Sequence, residues 1–66
     1  MIYILKFYDE NDNLFDLPFD SMKGAKRYFA MEKNLWKLDA TILEMQNFKM
    51  TPKLRKPLNQ TEWVRI

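Results

Sequence analysis

The fold of this chain is decided by residues 2–33, IYILKFYDENDNLFDLPFDSMKGAKRYFAMEK. The run from Ile2 to Tyr8 is apolar on both faces of its alternation, which is typical of a central strand in a sheet. The polar residues DENDN at 9–13 favour a turn, because Asp and Asn side chains hydrogen-bond to nearby backbone groups. A second alternating run, LFDLPF at 14–19, completes a predicted β-hairpin. Pro18 places this run at a sheet edge, since proline cannot donate a ladder hydrogen bond.

The segment that follows, residues 21–33, has the spacing of an amphipathic helix with a basic outer face. Asp20 or Ser21 can cap it, because a short side-chain oxygen accepts from the free N–H groups of the first turn. Gly24 weakens that turn by up to about 1 kcal/mol relative to Ala. We interpret this glycine as a point of close packing between the helix and the sheet. The apolar stripe of the helix consists of Met22, Ala25, Phe29 and, beyond its end, Trp36.

The C-terminal half is less decisive. Residues 40–46, ATILEMQ, alternate as a strand, although a helical spacing through residues 35–45 keeps a helix open as the alternative. We favour the strand, because the strand-like run TEWVRI at 61–66 needs a partner. Residues 48–60 contain Pro52 and Pro57 and are predicted to form a long loop. The prediction is an α+β fold of order ββαββ, a small antiparallel sheet with one amphipathic helix on one face, as a single domain over residues 1–66.

The agreement between the strand alternation and the helix stripe predicts which side chains form the core. A protein of this size has little apolar area to spare, and aromatic rings bury the most area per residue. The predicted core consists of Leu5, Phe7, Phe15, Leu17, Ala25, Phe29 and Leu43.

Composition excludes most kinds of active site. The 66 residues include no His and no Cys, which removes the usual general base, the usual thiol nucleophile and the soft ligands of zinc. The spacing of Asp9, Asn11, Asn13 and Asp20 superficially resembles a calcium loop. Leu14 stands where that loop requires Gly, so a turn explains the run better. We therefore predict no catalytic residues, no metal site and no cofactor.

Charge is distributed unevenly along the chain. Residues 1–20 contain five acids against Lys6 alone, whereas the rest of the chain carries ten bases and four acids. Such asymmetry favours oriented binding to a charged partner. Four cations fall in the predicted loop, and others fall on the outer helix face beside a tyrosine. The candidate binding residues are Lys23, Lys26, Arg27, Tyr28, Lys49, Lys53, Arg55, Lys56 and Trp63.

Residues 16–28, DLPFDSMKGAKRY, are preceded by IYILKFYDEN, and the chain closes on WVRI. This pattern resembles short uncharacterised proteins of phages and prophages of low-GC Gram-positive bacteria, over residues 2–28 and the final strand. The resemblance carries no catalytic residues. It implies a setting in which compact proteins bind and block a host enzyme or defence complex, or help to regulate phage DNA.

These observations predict a non-enzymatic phage-type protein that binds and modulates, by inhibition, a host protein or defence complex. The alternative is a small nucleic-acid-binding module that uses the basic helix face and the basic loop. The lack of Cys, of a signal-peptide pattern and of a long apolar run predicts a cytoplasmic protein without a membrane segment, as a monomer or homodimer.

Overall fold

The computed structural model describes residues 1–66 and contains five strands and one helix, in the order ββαβββ. All five strands form one antiparallel sheet with the spatial order β2-β1-β3-β4-β5. The α+β class is confirmed, and the strand count exceeds the prediction by one. The elements are β1 Ile2–Tyr8, β2 Leu14–Phe19, α1 Met22–Met31, β3 Ala40–Gln46, β4 Lys49–Lys56 and β5 Val64–Arg65.

The N-terminal hairpin forms as the sequence predicts. In the connecting turn, Asp9 Oδ1 accepts from the backbone N–H groups of Asn11 and Asn13, at 2.8 and 2.9 Å. These bonds lower the pKa of the Asp9 carboxyl, the largest contribution coming from the Asn13 N–H. Strand β1 lies between β2 and β3, and β2 lies at the edge. Both placements match the expectation drawn from apolar faces and Pro18.

Helix α1 is shorter than predicted at its C-terminal end. Ser21 is the N-cap, and its Oγ accepts from the Gly24 N–H at 3.0 Å. The helix ends at Met31, so Trp36 lies outside it, in the turns that connect α1 to β3. A Cβ added at Gly24 would lie 3.2 Å from Ser21 Oγ and 3.9 Å from Phe19 Cδ2. The atom closest to this added Cβ is therefore the capping hydroxyl of Ser21, and the side chain of Phe19 from the sheet lies further away.

The buried core joins the helix to strands β1 and β3. Its buried members are Leu5, Phe7, Ala25, Phe29, Ala40 and Ile42. Four of these were predicted. Phe15 is 39% exposed and Leu17 is half-buried, because they lie on an edge strand. Leu43 was assigned to the wrong face: Ile42 pairs with Leu5 across β1 and β3, so Ile42 points towards the helix and Leu43 points away.

The prediction of a loop over residues 48–60 is wrong. Residues Lys49–Lys56 form strand β4, which pairs with β3 along its whole length. The register shifts by one residue between Ile42 and Leu43, and this irregularity lies opposite Lys53. The predicted strand at 61–66 shrinks to Val64–Arg65 and pairs with β4, not with β3. Strand β3 itself is confirmed over Ala40–Gln46.

The sheet has two unlike faces. The helix face is the side that packs on α1. The open face is the opposite side, and no element covers it. Cross-strand pairing places Ile4 of the open face beside Pro18 and Leu43, and pairs Met45 with Ile2 and Met50.

Proline interrupts both outer borders of the sheet. Pro18 lies in the edge strand β2. Pro52 lies in the first half of β4, which β5 leaves uncovered because it pairs only at Leu54 and Arg55.

Candidate binding surfaces

The most exposed aromatic side chain lies at the tip of the β3–β4 hairpin. Two residues, Asn47 and Phe48, connect the strands, and both have positive φ, 53° and 64°. Positive φ at both central positions is the signature of a type I′ turn, in which the second position favours Gly. Phe48 is fully exposed. A bulky residue in left-handed backbone is strained by about 1–2 kcal/mol, and the ring recovers none of this by burial within the chain.

The tip is continuous with an apolar patch on the open face. Met45 and Met50 flank the turn and pair with each other, and Met45 also pairs with Ile2 on β1. All three are substantially exposed, at 36%, 48% and 45%. Aromatic residues and Met are enriched in protein interfaces, and contiguous exposed apolar patches mark interaction sites. We call Ile2, Met45, Phe48 and Met50 the tip patch.

The four cations predicted to share a loop are dispersed by strand β4. Arg55 pairs with Thr41 and Val64 on the open face, and Lys53 lies at the irregularity near Met22 and Arg65. Lys49 is exposed beside the tip patch. Lys56 is only 2% exposed, so it is not part of a solvated basic surface. Alternation along a strand separates neighbours that a loop can present together.

The candidate binding residues on helix α1 differ in how exposed they are. Lys23 and Arg27 are exposed around the first turns of α1, and Lys26 is half-buried. Tyr28 packs against the core, with its ring centre 5.5 Å from that of Phe19. The Tyr28 ring is therefore half-buried and borders the core.

Trp63 lies on the helix face, beside Phe29. The two ring centres are 5.9 Å apart in an edge-to-face arrangement. A cleft of about 380 Å³ opens next to this pair, and we call it the tryptophan cleft. Its lining residues are Phe29, Ala30, Trp36, Lys56, Thr61 and Trp63.

Lys56 lies in the floor of the tryptophan cleft. Its Nζ donates to the carbonyl oxygens of Gln60 and Pro57, at 2.8 and 3.2 Å, and lies 5.4 Å from the centre of the Phe29 ring. Burial lowers the pKa of the Lys56 ammonium, and the negative charge of Asp39 opposes this effect. The pairing of Lys56 with Ala40 places this cation on the helix face.

Two features were not predicted from the sequence, the β3–β4 hairpin and the tryptophan cleft, and only the hairpin has a signal in the sequence. The hairpin around Phe48 follows from two alternating runs that meet at Asn47, a residue that tolerates positive φ. Pro52 and the basic composition concealed the second run. Nothing in the sequence alone reveals the tryptophan cleft, because it depends on where the end of β4 and residues 61–63 lie relative to helix α1.

Comparisons of the chain with protein-family models, with curated proteins and with solved structures find no match. The single helix has ten residues and cannot cross a membrane.

Proposed function

We propose that this chain is a small non-enzymatic binding protein of phage type, acting in the host cytoplasm. It docks on a host protein or defence complex through the tip patch and inhibits that partner. Phe48 carries this proposal: an aromatic ring is held fully in solvent on strained backbone at the end of a hairpin. Strain that is retained without burial within the chain suggests a function outside it.

The tip patch has the anatomy of an anchor. Interfaces draw most of their affinity from a few residues, often aromatic, that enter a pocket on the partner. Phe48 projects beyond the sheet, and Met45, Met50 and Ile2 provide an apolar surround. We infer that the partner offers an apolar pocket for the Phe48 ring.

The charges along strand β4 and on the open face specify the rest of the partner surface. Strand β4 carries no acidic residue, and Lys49, Lys53 and Arg55 are exposed. Lys6 adds a further exposed cation to the open face, where it pairs with Asp16 and Thr41. The partner therefore presents acidic groups beside its apolar pocket, opposite Lys49, and further along the contact, opposite Lys53, Arg55 and Lys6. These groups accelerate encounter more than they add affinity.

The test uses affinity capture from a nuclease-treated lysate of a Gram-positive host, followed by titration of the identified partner. Wild type, Phe48→Gly and Phe48→Ala are compared, with Leu58→Ala as the control for loss of an exposed apolar side chain elsewhere. Both Phe48 variants should bind at least about 30-fold more weakly, and Leu58→Ala should bind as wild type does. Unchanged affinity of both Phe48 variants would refute the proposal.

A triple variant separates protein from nucleic acid as the partner. Changing Lys49, Lys53 and Arg55 to Ser should slow association with a protein and weaken its salt dependence. If capture instead depends on nucleic acid, affinity for unrelated sequences should fall together, and the slope of log K against log salt should drop by up to about 3. That second result would replace our proposal with the nucleic-acid module.

A further inference from the structure

We propose that the tryptophan cleft binds a carboxylate carried on an apolar body, with the apolar part between Trp36 and Trp63 and the carboxylate on Lys56 Nζ. The seven residues of β3 span about 20 Å between this end of the sheet and the tip patch. The cleft is therefore a second site, independent of the proposed docking surface.

The walls of the cleft suit an apolar ligand. Phe29 and Lys56 form a buried floor, whereas Ala30, Trp36 and Thr61 are exposed at the rim. Trp36 is 37% exposed and does not belong to the hydrophobic core. A volume of about 380 Å³ falls in the range of small-ligand sites. Since a cavity of about 150 Å³ holds benzene, this cleft accommodates a phenyl ring with a short chain and a carboxylate.

The floor of the cleft lacks a negative charge. An ammonium group has three donors, and Lys56 uses two of them on the uncharged carbonyls of Pro57 and Gln60. Asp39 influences Lys56 through its field, without a hydrogen bond to Nζ. A buried cation without a bonded counter-charge is costly, and a ligand carboxylate would supply both the charge and the third acceptor.

The same cation discriminates among ligands. An amine would be repelled by Lys56, and a neutral molecule would leave its charge uncompensated. The two carbonyl bonds also hold the turn at residues 57–60, which leads into Trp63. Lys56 therefore holds the turn beside the cleft, and its ammonium group favours a negatively charged ligand.

The probes for this proposal are 4-phenylbutanoate, 4-phenylbutan-1-ol and 4-phenylbutylamine, which share a ring and a chain. Binding is followed by the NMR signals of the two indole N–H groups, since the chain has only two Trp residues. The acid should shift both signals, with a dissociation constant on the order of 1 mM. It should also bind about tenfold or more tightly than the alcohol, because a charge-assisted hydrogen bond is stronger than a neutral one. Equal binding of acid and alcohol, preference for the amine, or no saturation by the acid would overturn the proposal.

Two variants connect the binding to the cleft. Lys56→Met should abolish the preference for the acid over the alcohol. If that variant unfolds, Trp36→Ala keeps the test intact, because Trp36 lies outside the core; it should remain folded and lose affinity for the acid at least about fivefold. Undiminished acid binding by folded Trp36→Ala would overturn the assignment to this cleft.

Two sources of the ligand share this chemistry, a free organic acid and the C-terminus of a polypeptide. The blocked dipeptide N-acetyl-glycyl-phenylalanine, which carries no free amine, and its C-terminal amide separate them. Tighter binding of the dipeptide than of 4-phenylbutanoate, lost in the amide, identifies a chain terminus. Tighter binding of 4-phenylbutanoate identifies a small acid.

Discussion

The ammonium nitrogen of Lys56 lies 5.4 Å from the centre of the Phe29 ring, where β4 passes the last turn of helix α1. Phe29 also meets Phe7 and Trp63 edge to face, at centre distances of 5.3 and 5.9 Å. One ring thus joins the helix, strand β1, strand β4 and the C-terminal segment.

Phe29→Ala should leave the protein largely unfolded. Phe29 is 1% exposed, and truncation of a buried Phe costs about 3–5 kcal/mol. The stability available to a chain of this length is also about 3–5 kcal/mol. Circular dichroism against temperature tests this, with Phe15→Ala as the partly exposed control, which should still melt cooperatively. A native melting curve for Phe29→Ala would contradict the central role of this ring.

Lys56 should make stability rise with pH in the alkaline range. The pKa of Lys56 is lowered in the folded state, mainly by burial, so the unfolded chain holds this proton more tightly. The free-energy cost of burying a charged Lys56 therefore applies in full below the folded pKa. This cost disappears as the pH rises to the usual lysine pKa of 10.5. Urea unfolding of wild type and Lys56→Met between pH 8 and 10.5 should show that the free energy of unfolding of wild type rises relative to that of the variant. The same comparison with Lys23→Met, an exposed lysine, is the control. A pH-independent difference between wild type and Lys56→Met would show that burial does not perturb this amine.

Phe48→Gly should stabilise the fold by about 1 kcal/mol, because Gly adopts positive φ without a Cβ clash. Phe48→Ala removes the same ring but retains the clash, so its stability should stay within about 0.5 kcal/mol of wild type. Denaturant titration of the three proteins measures both effects. Destabilisation by Gly would mean that the ring has a packing role within the chain.

Ser21 and Gly24 should be coupled. Ser21→Ala removes the cap and should cost about 1 kcal/mol. Gly24→Ala gains up to about 1 kcal/mol of helix propensity, but its new Cβ would crowd Ser21 Oγ at 3.2 Å. The substitution at Gly24 should therefore stabilise more in the Ser21→Ala background than in wild type. Additive free energies in this double-mutant cycle would show that the hydroxyl moves aside without cost.

The N-terminal half of the fold was accessible from sequence because its signals are local. Alternation, the DENDN turn and the Ser21 cap each act within a few residues, and they identified β1, β2 and the start of α1. Strand β3 was also identified, but its face was not, since one residue of register reverses which side chains reach the helix. The burial of Ile42 in place of Leu43 is the result.

Strand β4 was missed because its sequence opposes a strand in two ways. Pro52 breaks the ladder, and the bases Lys49, Lys53 and Arg55 indicate solvent. Pairing with β3 overrides both, since an edge with half of its length uncovered tolerates a proline and leaves cations exposed. This error placed Lys56 in solvent. The burial of Lys56 is a tertiary property, set by its position opposite Ala40.

The two prolines at the borders of the sheet affect how the chain behaves in a crowded cell. A protein that displays Phe48, Met45 and Met50 is at risk of polymerising strand to strand once its concentration rises. Pro18 and Pro52 place a residue without a backbone N–H in each outer part of the sheet, and proline in an outer strand opposes the addition of another strand. The two prolines therefore favour binding through the side chains of the tip patch over strand-to-strand polymerisation.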